Sequence, residues 1–362
     1  HGWILGYDAQ TLQRVHAFCT TPDGVGGGIW MSGVAPAVDA DGHLFCVSGN
    51  GPFDAHLGGR NYSDSLLRLG VRDGEFGVRG YFTPPNQAYL EAHDADFGSG
   101  GALLLPTAAA GPGGPRLAVA AGKDGTLYLV DRDSPGGYVT QPGGAARQSI
   151  TLGSSLFGLP TWHAGRLFVH PVGAPLRSYR LENGQLSGTP SSIAPHRFGY
   201  PGSIPVISAW NDENGLVWAL RTDGFRASAP AVLYAYDARD LSRELYHTGQ
   251  AGSRDQLGPA QKFAVPTVAN GRVYVGTARG LDVLGLLPGI PAEIRLSLDG
   301  DRELSLSGEP GVAYRIETGE QPADPLSWTP WLQVRLVRST QRLGPVTPSG
   351  TRRFYRAVRL DP

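Results

Sequence analysis

Short apolar strands, each broken after four to six residues by a Gly, Pro, Asn or Asp turn, recur along most of the chain. Four stretches share one form: APAVDADGHLFCVSG (35–49), LPTWHAGRLFVHPVG (159–173), IPVISAWNDENGLVWAL (204–220) and VPTVANGRVYVGTA (265–278). Each has a Pro, a small or β-branched step, a Gly turn and then alternating Val, Leu, Phe or Tyr. Further strands follow them: SLLRLGVRDG (65–74), TLYLVDRDS (126–134), LRSYRLENG (176–184), VLYAYDARD (232–240) and GLDVLGL (280–286). WILGYDAQT (3–11) has this second form with nothing before it. A period of two with no sustained period of 3.6 predicts strands throughout.

Repeated four-strand units joined by Asp-Gly and Asn-Gly turns predict the blades of a β-propeller. The expected fold is all-β: a propeller of about five to six four-stranded blades over 1–288, then a small β-sandwich. Four fairly complete blades are expected between 32 and 250. The strands at 3–18 and 263–286 are expected to combine into one blade and close the ring. Past LLPGIPAEI (286–294) the repeat stops, and about six alternating strands over 292–362 match an Ig- or fibronectin-like sandwich. Trp328, Trp331, Tyr314, Phe354 and Tyr355 are its expected core, with a protein or glycan partner as a use for the two tryptophans.

Composition supports this reading and narrows the partners. Gly (52) and Pro (29) are abundant in 362 residues, which suits many tight turns. With 31 basic and 32 acidic side chains, no broad field favours nucleic acid or an anionic membrane. No apolar run reaches the length of a membrane helix. The first residues, HGWILGYDAQ, are already strand-patterned, so no signal peptide is visible and the chain reads as a mature or truncated form. Cys19 and Cys46 are the only cysteines; a disulfide and two buried thiols are both compatible with them.

Chemistry-bearing residues concentrate between Gly26 and Arg132, in GGGIW (Trp30), SGNG (Asn50), HDADFGSGG (His93, Asp94, Asp96) and GKDGTLYLVDR (Lys123). Each lies at the end of a predicted strand. A flat indole face, an amide, carboxylates and one cation can hold a conjugated ring or a metal. The same residues also serve plain structure, as turn, cap or core. His163 and His170 sit at strand positions and can face a central tunnel. Ser99 stands close to His93 in sequence, but no nucleophile elbow is present.

The order of these motifs resembles the quinoprotein alcohol dehydrogenases of the pyrroloquinoline-quinone (PQQ) superfamily. That resemblance covers about 1–290. It implies Trp30 as the floor for the quinone, Asn50 as a calcium ligand, and Asp96 or Asp94 as the catalytic Asp; read on their own, the residues also let Asp96 join Asn50 on calcium and let His93 form a metal or acid/base cluster with Asp94 and Asp96. Lys123 is implied as a cation near the quinone oxygens. It further implies calcium and PQQ as cofactors, an alcohol or sugar as substrate, and a periplasmic or secreted, bacterial-type setting. The vicinal cysteine pair and the haem motif CxxCH of that family are missing, and the blades carrying its glutamate ligand are not in this chain. Two other functions fit the same residues: a calcium-dependent hydrolase acting on a lactone or simple ester, and a non-catalytic secreted binding scaffold.

Overall fold

The structure, a computed structural model, describes residues 1–286, 294–300, 302–346 and 353–360. The chain forms two units, one of His1–Ala269 with Val273–Val283 and one of Asn270–Arg272 with Leu284–Pro362. The expected boundary between 288 and 292 lies outside the described residues.

The first unit is a run of antiparallel sheets in chain order. A hairpin of β1 (Trp3–Tyr7) and β2 (Arg14–Cys19) comes first. The second sheet is the meander β3 (Ala37–Val38), β4 (Leu44–Val47), β5 (Leu66–Arg72) and β6 (Glu75–Thr83). A short helix, α1 (Gln87–Ala92), leads to β7 (Leu103–Leu104), β8 (Leu117–Ala121) and β9 (Thr126–Asp131). Strand β10 (Gly137–Tyr138) returns to lie parallel to β6, and β11 (Gln148–Thr151) completes the third sheet beside β9. The fourth sheet contains Thr161–His163, Arg166–Val169, Pro175–Glu182 and Ser192–Arg197. Val206–Trp210, Glu213–Arg221, Val232–Asp237 and Glu244–His247 make the fifth. Thr267–Ala269, Arg272–Thr277 and Gly280–Gly285 make the last.

These sheets pack face to face as blades. Phe45 and Leu67 of the second sheet share a core with Ala118, Tyr128 and Val130 of the third. Leu127 and Leu129 share another with Leu167 and Tyr179 of the fourth. Phe168 and Leu176 share a third with Val217 and Tyr236 of the fifth. Strands covered on both faces have no polar side to expose, which is why β8 reads LAVAA and is buried along its whole length. The entries to the innermost strands meet at one place. Gly33 faces Ile204, Phe263 and Val265, while Gly101 faces Val34 and Leu159. Five blades therefore point their inner edges at a common axis, the arrangement of a β-propeller.

The two ends do not merge into one blade. β1–β2 and the last three strands are separate sheets. The last sheet already fills its third position with Gly280–Gly285, the same position that the pattern of β1 demands, and one position cannot take both. Trp3, Leu5 and Tyr7 on β1, and Leu281 and Val283 in the last strand, are exposed. Cys19 and Cys46 are free thiols, and burial pushes the Cys46 thiol up to about 12.

In the second unit, Arg295–Leu298, Glu303–Ser307 and Thr340–Pro345 form one antiparallel sheet. Ala313–Gly319, Thr329–Arg335 and Phe354–Arg359 form another. Leu304, Leu306, Tyr314, Ile316 and Leu336 make one shared core, with Leu332, Tyr355 and Ala357 packed on it. Two aromatics expected in that core lie outside it, since Trp331 is 39% and Phe354 37% exposed. Strand alternation is the reason: with Leu332 and Val334 turned inward, Trp331 must face out. Trp328 lies under the Arg356 guanidinium, 4.3 Å from the ring centroid.

Leu67 is fully buried at the centre of β5. Leu67→Ala should lower the unfolding free energy by about 2–5 kcal/mol in a denaturant titration. A loss below about 1 kcal/mol would contradict the blade-to-blade packing described above.

Candidate functional site

Five of the six residues singled out in the sequence meet at the ends of the second and third sheets. Asn50 follows β4, Lys123 lies in the turn between β8 and β9, Trp30 precedes β3, and Asp94 and Asp96 follow α1. Glycines make the approach close enough. A methyl on Gly49 would land on Asp96 Oδ1 and lie 3.2 Å from Trp30 Nε1. A methyl on Gly122 would stand 2.6 Å from the Asp96 carbonyl oxygen. Side chains at either position would drive the segment carrying Asp96 away from the strand ends.

Asp96 is the hub. Its Oδ1 accepts the Asn50 backbone N–H at 2.9 Å, and its Oδ2 stands 2.5 Å from Lys123 Nζ. The Trp30 indole lies beside this carboxylate and helps to favour its charged form. Burial pushes its pKa up, but Lys123, Asn50 and Trp30 outweigh burial and hold it below the ordinary carboxylate range. Lys123 shows the mirror effect. Burial lowers its pKa, and bonds to Asp96 and Asp94 more than reverse that. The pair is therefore a carboxylate and an ammonium across the neutral range. Lys123 Nζ also donates to the Asp94 carbonyl at 2.9 Å and to Asp94 Oδ1 at 3.0 Å. Asn50 Nδ2 donates to the same Oδ1 at 3.1 Å. The ammonium lies 5.7 Å from the centroid of Trp30, which is 39% exposed.

His93 stands apart. It stacks on Tyr89 at 4.1 Å, and its Nδ1 pairs with the Tyr89 carbonyl. Ser99 is fully buried and donates to the Leu156 carbonyl at 2.8 Å, so it is a structural hydroxyl. His170 bonds to Ser203 and to the Ala174 carbonyl, and burial pushes it down to about 3, which keeps it neutral. His163 packs against Gly215 of the next sheet. None of these histidines joins the cluster around Asp96. Asp39, Asp41 and His43 form a separate group, but Arg116 binds Asp41 at 2.6 Å and Arg68 sits 3.2 Å from the His43 ring nitrogens. Two guanidinium groups there oppose a metal ion.

Two acidic residues beneath the site escaped the sequence reading. Asp64 is fully buried at φ 47°, where its Oδ1 accepts the Phe97 N–H at 3.1 Å and its Oδ2 faces Gln87 Nε2 at 3.5 Å. Burial pushes its carboxyl up to about 7, helped by the charges of Asp96 and Glu91. Glu91, on α1, accepts the Gly51 N–H. An Asp inside NYSDS looks like any turn residue, so only its location under Asp96 reveals it.

The calcium expectation does not fit this arrangement. Calcium takes six to eight oxygens from carboxylates, carbonyls and waters. Both Asp96 oxygens are committed to donors, and the Lys123 ammonium occupies the place a cation would take. Asn50 Oδ1 is buried with no donor. A single amide oxygen does not hold a divalent ion. What the site does offer is an indole face with a fixed ammonium over it and a carboxylate at its edge. That suits a flat ring bearing negative charge.

No family model matches the chain, and no curated protein does. Among solved structures, the chain is similar to the quinohemoprotein alcohol dehydrogenase from Comamonas testosteroni, at 14% identity and a TM-score of 0.45. That match covers 75% of this chain and 52% of the dehydrogenase, so the chain spans about half its length. It is also similar to BamB from Moraxella catarrhalis, at 12% identity over 85% of this chain and 86% of that one, TM-score 0.40. The WD40 β-propeller domain of Doa1 is similar at 9% identity over 84% and 82%, TM-score 0.41. Likeness at this level says nothing about the chemistry at Trp30 and Asp96.

Asp64 gives a test of the site's electrostatics. Its folded pKa lies above the ordinary value of 3.8, so the unfolded chain releases this proton first. The contribution of Asp64 to stability should therefore be full below pH of about 4 and fall as pH rises towards about 7. In Asp64→Asn this loss should vanish, leaving the variant on the order of 4 kcal/mol better off at pH 8 than at pH 4, relative to wild type. Denaturant midpoints across that range measure the difference; parallel pH profiles for the two proteins would refute it.

Proposed function

We propose that the first unit is a quinoprotein-like propeller that holds a flat anionic ring of the PQQ type against Trp30, with Lys123 as its counter-charge. The observation behind this reading is the Lys123 ammonium fixed 5.7 Å from the Trp30 centroid by Asp94 and Asp96. An indole face gives planar contact, and the ammonium selects negative charge on the ring. Bound there, such a quinone would supply a two-electron acceptor for an alcohol or sugar hydroxyl. Asp96 is ionised at neutral pH and within reach of the same face, which suits it to accept or orient a substrate proton. Its lowered pKa makes it a weak base, so its first service is to hold Lys123 in place.

Calcium forms no part of this reading, because the Lys123 ammonium already occupies the place beside Asp94 and Asp96. The hydrolase alternative weakens for the same reason, since it needs a metal under the ester carbonyl, and His93 and Ser99 lie outside the cluster. A periplasmic or secreted setting belongs to the proposal. Among the described residues, no helix is long and apolar enough to cross a membrane. For the second unit, exposed Trp331 and its edge contact with Tyr355 at 5.6 Å offer an aromatic platform to a protein or glycan partner.

Equilibrium dialysis against PQQ, followed by its absorbance, tests the assignment without relying on turnover. The protein should bind PQQ with or without added calcium. Lys123→Met and Trp30→Ala should each weaken binding by about tenfold or more. Equal binding by wild type and both variants, or none by wild type, would remove the quinone from this site.

A further inference from the structure

The chain contains two lysines, and all its other basic side chains are arginine. Both lysines lie against aromatic rings of one cluster. Lys123 belongs to the Trp30 end. Lys262 Nζ stands 4.5 Å from the centroid of Phe263 and 5.4 Å from that of Tyr200. Phe157 joins the two ends, with its centroid 6.2 Å from Trp30, 6.2 Å from Phe263 and 5.0 Å from Tyr200. These rings sit where the entries to the inner strands gather about the propeller axis.

The two ammonium groups differ in what answers them. Lys123 has Asp94 and Asp96. Lys262 has no carboxylate within ion-pair distance among the described residues, although it is half-buried. Partial burial of a cation is unfavourable, and the faces of two rings offset that only in part. The residue beside it is strained as well. Phe263 has φ 65°, a conformation that a bulky side chain adopts only when its surroundings impose it. Here that backbone aims the Phe263 ring at Phe157 and sets Lys262 over its neighbours.

We propose that Lys262, Tyr200, Phe263 and Phe157 form a second ligand subsite, specific for an aromatic carboxylate. The rings supply planar apolar contact, and Lys262 supplies the missing ion pair with the ligand's carboxylate. This subsite stands on its own geometry, whether or not a quinone lies on Trp30.

Isothermal titration with 2-naphthoate and its neutral analogue 2-naphthamide tests the assignment on the full chain. Wild type should bind 2-naphthoate about tenfold more tightly than 2-naphthamide. Lys262→Met, which keeps most of the side-chain volume, should abolish that preference, and Lys262→Arg should keep it. Lys123→Met should change 2-naphthoate affinity by less than about twofold, because Lys123 lies over Trp30 and not over the rings of this subsite. Unchanged far-ultraviolet dichroism and thermal midpoints establish that the variants are folded. Equal affinity for the two probes, no binding of either, an unaltered preference in Lys262→Met, or a loss in Lys123→Met matching that in Lys262→Met would each overturn the second subsite.

Discussion

One carboxylate ties three separate stretches of chain together. Asp96 takes the Asn50 N–H that follows β4 and the Lys123 ammonium between β8 and β9, with the Trp30 indole from the loop before β3 beside it. Each donor alone would be a modest interaction, and an exposed ion pair would contribute little. Here the side chains of Asp96 and Lys123 are 12% and 18% exposed, so water competes weakly and the pair fixes the geometry of both neighbours. The position of the ammonium over Trp30 follows from it. So does the exclusion of a second cation.

That arrangement depends on backbone closeness. Gly49 and Gly122 leave no side chain between the strand ends and the Asp96 segment, so carboxylate, indole and amide can meet. Beneath them, buried Asp64 receives the Phe97 N–H, the residue directly after Asp96. The site thus rests on a second carboxyl that prefers to be neutral, while the upper one is held ionised by Lys123. Two carboxyls close in space are shifted in opposite directions because one has a cation and the other has mainly burial.

Much of the fold was legible in the strand pattern, because blade strands are short, alternate with Gly and Pro turns, and repeat. The places where that reading failed share a cause. Merging the end strands into one blade required β1 and Gly280–Gly285 to fill the same position, and pattern alone does not rank two strands of equal form. Trp331 and Phe354 were assigned to the core by size, whereas the register of their strands turns them outward. His93 and Ser99 looked close in sequence, but α1 carries His93 onto Tyr89 while Ser99 turns inward to Leu156.

The sequence by itself determined the residue types at the mouth. Asn50 and Lys123 had to lie at strand ends, because alternating runs flank them, whereas Asp94 and Asp96 follow α1 and Trp30 lies in the loop before β3. It also determined that sheets covered on both faces would be needed, since LAVAA and LYLV have no polar side. Only the tertiary structure decided which charges meet. Lys123 reaches Asp96 across a separation of 27 residues and neutralises a carboxylate that would otherwise be open to a metal. Lys262, in a stretch with no motif, is left on aromatic faces without an acidic partner among the described residues, because the packing of five blades about one axis brings Phe157 and Tyr200 to it and to Phe263. Charge pairing depends on distance in space, and strand periodicity fixes only the face on which each side chain begins.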